Sequence, residues 1–279
     1  MPLVPALALL LVAKAPIDLG IAPAPRPAIV GGCPADARFE VNLAAWRAAL
    51  AQAEHDETSA RRDELLAQVG LSLDAPGPDD ADAKPPRLEL AGVEDSAVQL
   101  EAGERAAHVL QVRYRLAGVE DAPTIHLVQV LRPLPGRAYC ALGAELSRRE
   151  EPPAKLVSYA LAFVPLVSAN AKVIQVESVV GEARRSETRR AYFVARGAKL
   201  QKIFDEPLGS MTNAGGATTT TVGTLKLAGD YPKRIELTET TKAGGCEVRA
   251  GDAPCEDHAP SATTTTTFVF DGTRYVRKK

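Results

Sequence analysis

The chain has no large excess of either charge: 33 basic against 35 acidic residues leave a formal net charge of −2. No global field therefore draws it to nucleic acid or to an anionic membrane surface, and no nucleic-acid partner is expected. Histidine is scarce, with only His55, His108, His126 and His258, and no Gly-x-Ser-x-Gly elbow accompanies these four potential bases. Phosphate-cradling glycine loops and the paired-histidine zincin motif are missing as well. So is any Cys-x-x-Cys pair, which removes the support for redox catalysis and for zinc-ribbon spacing. These absences point to a non-enzymatic chain with no cofactor. They leave open a hydrolase of unrecognised type, its site residues scattered through the fold.

The first thirteen residues, MPLVPALALLLVA, form an apolar run ended by Lys14. It is too short to span a bilayer as a helix but suits the core of a signal peptide over residues 1–15, although no basic residue precedes it. The expected compartment is periplasmic or extracellular, the alternative being cytoplasmic. The excess of Arg over Lys, with abundant Ala, Gly and Pro, fits a GC-rich bacterial genome.

Four cysteines, Cys33, Cys140, Cys246 and Cys255, would be oxidised in an exported chain and allow three pairings. We expect Cys246 with Cys255, which flank a short loop, and Cys33 with Cys140. The stretch PAIVGGCPAD, residues 27–36, bears on Cys33. Ile29-Val30-Gly31-Gly32 resembles the processed N-terminus of trypsin-like proteases, but the serine and histidine motifs of that family are missing. Val30 to Cys33 resembles a lipidation box, but Pro23, Pro25, Arg26 and Pro27 interrupt the apolar segment such a box requires. Cys33 is left as a disulfide partner. Cys246, Cys255, Asp257 and His258 share one loop and are zinc-competent in type, though not in any structural-zinc spacing, so no metal site is assigned.

Residues 16–38 are rich in Pro and Ala and are expected to be a flexible segment, extended or disordered. From 39 to 70 the pattern is helical, with Leu43, Trp46, Leu50 and Ala53 on one face; EHDETS then interrupts it before Leu65, Leu66 and Val69 begin a second face that Gly70 ends. Mixed charge on the polar side argues against a membrane-surface helix. Residues 71–86 concentrate Pro, Gly and Asp and read as a linker, without the pattern of a calcium loop.

After Arg87 the period changes to two. LQVRYRL puts Leu110, Val112, Tyr114 and Leu116 on one side and Gln111, Arg113 and Arg115 on the other. Similar short segments recur to the C-terminus, separated by turns, and Asp271-Gly272 suits a two-residue hairpin. The expected class is α+β, mainly β: a short N-terminal helical segment followed by an antiparallel domain over 87–279, a sandwich or a barrel-like meander. The chain is not expected to be a transmembrane protein.

Three features are candidates for binding. Arg184, Arg185, Arg189 and Arg190 concentrate positive charge between two strands, where they suit phosphate or carboxylate groups, with Glu182 and Glu187 available to pair them internally. His126 sits within an apolar strand, the usual setting of a hydrogen-bonded core histidine. Two threonine runs, 218–221 and 263–267, favour strands and are expected as an exposed strand face, the alternatives being a recognition face for an ordered surface or a glycan, or a glycosylated patch.

VGTLKLAGDYPKRIEL and FVFDGTRYVRK resemble the strand-turn-strand units of secreted β-repeats of the integrin type and the closing hairpins of exported bacterial β-meander proteins. The resemblance implies an exported β domain and, through an Asp-rich turn, calcium; only Asp230 of such a turn is present. The reading as a whole is an exported bacterial binding or envelope-associated protein whose ligand lies outside the cell or in the envelope. Mass spectrometry of the chain from its native host is expected to find a mature N-terminus near residue 16, and a full-length cytoplasmic chain with free thiols would contradict export.

Overall fold

The computed structural model describes residues 33–55, 59–73, 88–117, 124–142, 146–147, 155–182, 185–197, 199–214, 217–244 and 262–278. All lie in one compact unit beginning at residue 32. The leader, most of the Pro/Ala-rich segment, the linker from 74 onward, Arg184, and the loop with Cys246, Cys255, Asp257 and His258 fall outside the described residues.

A short 3-10 turn, Ala35–Ala37, leads into strand β1 (Arg38–Glu40) and then helices α1 (Leu43–His55) and α2 (Ser59–Ala67). β1 departs from the expected run of extended chain followed directly by helix. Three residues carry no readable period, and this strand exists through its pairing with Ala138–Cys140. Asn42 caps α1, its Oδ1 accepting from the Ala45 amide at 3.2 Å. α2 ends in a Schellman motif in which the Leu71 amide donates to Leu66 O and the Gly70 amide to Ala67 O. Gly70 takes φ +72°, which only glycine adopts without cost. The Trp46 indole N–H donates to Leu65 O at 2.6 Å and ties the two helices together.

Strands β2 (Leu88–Val98), β3 (Ala107–Leu116), β4 (Thr124–Pro133) and β5 (Ala138–Ala141) form an antiparallel meander, and β1 adds to the outer edge of β5. The helices lay Leu43, Trp46, Leu50, Leu65 and Leu66 on one face of this sheet, joined by Val69 from the turn after α2, against Leu110, Val112, Tyr114, Leu127 and Leu131. Its other face, with Val109, Val128 and Val130, meets a second sheet through Tyr159, Ile174, Val176 and Phe193. β3 is thus covered on both sides where alternation alone implies one exposed face; Gln111, on the side expected to be polar, is only 8% exposed.

The second sheet holds β6 (Lys155–Val164), β7 (Val173–Glu182), β8 (Arg185–Arg196), β9 (Lys199–Ala214), β10 (Ala217–Ala228), β11 (Arg234–Gly244), β12 (Ala262–Phe270) and β13 (Tyr275–Arg277) in strict sequence order, all antiparallel. It forks. β9 pairs with β10 only over Gly209–Ala214 and Ala217–Val222; below that, β9 stays with β8, across register shifts at two points, while β10 stays with β11. Between the two diverging layers lies a third core of Tyr192, Ile203, Phe204, Leu208, Ile235, Leu237, Phe268 and Tyr275. Gly223 stands at the fork: a Cβ there would lie 2.5 Å from the Leu208 carbonyl oxygen, so the close approach requires glycine.

The far ends of the layers are latched. The Lys233 amide donates to Leu166 O at 2.9 Å and Arg196 donates to Gly272 O at 2.9 Å, while within the β10–β13 layer the Tyr275 hydroxyl donates to Lys233 O at 2.6 Å. The β12–β13 hairpin forms as expected, with its residues one place shifted. The Asp271 amide donates to Arg274 O, so Gly272 and Thr273 are the central pair, with Gly272 at φ +98°. The Asp271 carboxylate accepts from the Thr273 and Arg274 amides at 2.8 Å. Those bonds hold its carboxyl below the ordinary range.

Cys33 and Cys140 form a disulfide with Cα atoms 5.7 Å apart. It ties the chain before β1 to β5, closing a loop across a sequence separation of 107. A loop of this size restricts the unfolded ensemble by about 4–5 kcal/mol on the chain-entropy account. Replacing both cysteines by serine is expected to lower the unfolding free energy by up to that amount. Denaturation of the double variant beside the oxidised protein checks it; a loss below about 1 kcal/mol would show that the strand pairing alone carries the N-terminal segment.

Candidate functional site

On β10, β11 and β12 the pairing registers place threonines in ranks. Thr224, Thr238 and Thr265 form one rank, and Val222, Thr240 and Thr263 form the next. Strand geometry sets neighbours about 4.8 Å apart within a rank and about 6.7 Å apart along a strand. Thr238 and Thr265 share a hydroxyl hydrogen bond at 3.3 Å, as do Thr240 and Thr263. A hydroxyl has one donor and two lone pairs, so each linked pair retains one donor and three acceptor sites for an outside group. β9 extends the face at Met211, opposite Thr220, and β12 extends it at Thr267 and Val269.

This side faces solvent. Val222 is 59% exposed, and of the four large apolar side chains exposed among the described residues, Met211, Val222 and Val269 all lie on it. The reverse side of the same strands carries Leu225 and Leu237 into the third core. The threonine ranks are therefore held rigidly from behind, as a binding surface must be if it is to lose little freedom on contact. Lys242 lies at one end of the face, and Lys226 and Glu236 at the other.

The arginine cluster is organised differently from the expected loop tip. Arg185, Arg189 and Arg190 lie within β8. Arg185, Glu187 and Arg189 line a cleft of about 240 Å³ together with Val180, below the few hundred Å³ of an ordinary ligand pocket. Its charges are paired internally: Arg189 reaches Glu187 at 2.8 Å and Asp205 at 3.2 Å, and Arg185 reaches Glu187 at 3.6 Å. Arg190 turns to the other side of β8 and pairs with Glu177. The three arginines do not converge on a common anion.

His126 is 7% exposed, between the sheets. Its Nδ1 lies 3.1 Å from Gln111 Nε2, and its ring lies 4.8 Å from that of Tyr159. Burial, with a smaller contribution from Arg113, pushes its pKa down to about 4. A neutral imidazole in this setting is a hydrogen-bonded core group. His108 was unremarkable in sequence, yet its Nδ1 lies 2.8 Å from Asp95 Oδ1, with Arg47 4.0 Å from the other carboxylate oxygen and Tyr139 edge-on to the ring. The two partners lie on neighbouring strands, which no local spacing reveals. Neither histidine lines the β8 cleft.

Behind the helices, burial raises the Glu54 carboxyl above its ordinary range against the opposing effects of Tyr114 and Arg62. Arg62 stands 5.8 Å over the Tyr114 ring. This cluster joins α1 and α2 to β3 and reads as structural. Among the described residues no three metal-competent side chains converge, and no helix is long and apolar enough to cross a membrane.

The His126 shift makes stability depend on pH. The unfolded imidazole titrates near 6.5 and the folded one near 4. The stability from keeping it neutral is therefore complete above about pH 6.5 and falls as pH drops toward 4, at up to about 1.4 kcal/mol per pH unit. His126→Gln is expected to flatten that slope in denaturation curves taken from pH 7 to 4; an unchanged slope would assign the acid sensitivity to other groups.

No protein-family model, curated protein or solved structure matches the chain.

Proposed function

We propose that the chain is an exported, envelope-associated or extracellular binding protein that meets its ligand through the threonine-ranked face of β10–β12. The observation that carries this reading is the coincidence on one sheet face of paired Thr hydroxyls with three of the four exposed large apolar side chains. Exposed apolar groups beside unspent hydrogen-bonding capacity are the composition of a recognition surface.

Export is supported by the apolar leader in the sequence and by the disulfide between Cys33 and Cys140, a bond that persists in oxidising compartments. The alternative, a hydrolase, gains little from the geometry. Its best pair of groups is His108 with Asp95, and the cleft on β8 takes in neither.

The test is retention of the purified chain by isolated envelope material and by the extracellular polysaccharide of its native host. Replacing Val222 and Thr240 together by lysine is expected to weaken retention at least tenfold while the melting temperature stays within a few degrees. Retention that survives this double change, or turnover abolished by His108→Ala, would overturn the reading.

A further inference from the structure

The near balance of charge over the whole chain conceals a local excess. The β6–β7, β8–β9, β10–β11 and β12–β13 turns lie at one end of the second sheet. Hydrogen bonds hold them side by side. The Lys233 amide reaches Leu166 O from the β10–β11 turn to the β6–β7 turn. Arg196 donates to Gly272 O at 2.9 Å and Gln201 to Thr273 O at 3.4 Å, joining the β8–β9 turn to the β12–β13 hairpin. At or beside these turns stand Lys172, Arg196, Lys199, Lys233 and Arg274, against Asp230 and Asp271. The Asp271 carboxylate is engaged by two amides of its own turn. None of the five cations forms an ion pair among the described residues, and Glu236 nearby is taken by Arg234 at 2.7 Å. The 99–106 loop of the first sheet adjoins this end through the Lys172 amide, which donates to Gln99 O. That loop is balanced, with Glu101 and Glu104 beside Arg105 and with Arg132 3.9 Å from Glu101.

Of the four large apolar side chains exposed among the described residues, the one off the threonine face lies here. Tyr231, in the β10–β11 turn, is 41% exposed, and the Lys233 ammonium stands 4.9 Å over its ring. Arg196 lies 6.0 Å over Phe270 in the same way. Aromatic faces and backbone carbonyls thus hold these two cations in place and leave their charge uncancelled. An exposed tyrosine among uncancelled cations is the composition of a membrane interface. The apolar body and polar tip of the ring both find their medium at headgroup level, while lysine and arginine reach the anionic groups beside it.

We propose that this end docks the protein on anionic lipid, with headgroup phosphates as the counter-charges of the five cations and Tyr231 set among them. Exposed cations in excess repel one another, and an outside anion relieves that repulsion. Tyr231 favours lipid as its source, because a soluble polyphosphate or acidic polysaccharide offers the ring no apolar medium. Each cation brought close to an anionic surface raises partitioning about fivefold, so a group of this size holds a folded chain reversibly without a spanning segment. The threonine ranks lie along the strands, away from these turns, and the inference does not depend on them.

Co-sedimentation of the full oxidised chain with phosphatidylcholine vesicles, with and without phosphatidylglycerol, tests this. The anionic lipid is expected to raise partitioning at least tenfold, and salt at about 1 M is expected to remove that gain. Lys172→Gln, Lys199→Gln and Arg274→Gln together, at three exposed positions, are expected to cut the gain at least tenfold while the melting temperature stays within a few degrees. The apolar leader is common to both proteins, so the difference between them reads this end alone. Tyr231→Ser is expected to weaken the gain several-fold and to leave binding to inorganic polyphosphate unchanged. The absence of a gain with anionic lipid overturns the proposal, as does a gain indifferent to the three glutamines. A gain indifferent to Tyr231→Ser also overturns it, by assigning this end to soluble polyanions.

Discussion

The fork in the second sheet governs much of what this molecule can present to others. Where the Leu208 carbonyl comes up against Gly223, β9 and β10 stop pairing and the sheet opens into two layers. An open fork would expose both inner faces to water. The aromatic group of Tyr192, Phe204, Phe268 and Tyr275 fills it, with ring centroids 5.2 Å apart for the Phe204–Phe268 pair, and such edge-on contacts add to the burial of the rings themselves. Because that core lies on one side of β10–β12, the other side is free of any packing duty. The threonine face exists because the fork has placed the apolar half of each strand elsewhere.

A different constraint rules the first sheet. β3 and β4 are covered by helices on one face and by β6–β8 on the other, so a polar side chain in their middle must find a partner or carry a desolvation cost. Gln111, Gln129 and Arg132 do so by crossing to a neighbouring element. Gln111 meets His126, Gln129 donates to Gly70 O at 3.1 Å, and Arg132 donates to Gly197 O at 3.1 Å. The last two bonds run from the central sheet to the helix end and to the β8–β9 turn. Such bonds fix how the layers register on one another, which apolar contacts alone leave adjustable. The same crowding explains the neutrality of His126, because burial favours the uncharged imidazole.

How far this was legible in the sequence follows from the range of the interactions involved. Several of the longer strands from β3 onward show period two in their own residues, and β6 is found over the range 155–164 that its sequence indicates. The mainly antiparallel class and the pairing of Cys33 with Cys140 were both within reach of local reasoning. β2 was not, because Glu, Asp, Gly and Ala break its alternation, and it is a strand because β3 offers it an edge. β1 and β5 are too short to show any period. The threonine runs read as strands, but only the registers show that Thr238, Thr265, Thr240 and Thr263 stand side by side. The fork was illegible for the same reason: Leu208 and Gly223 meet through the backbone, and nothing in their identities announces it. His108 with Asp95 is a third case, a pair made by two strands whose spacing in the chain carries no motif.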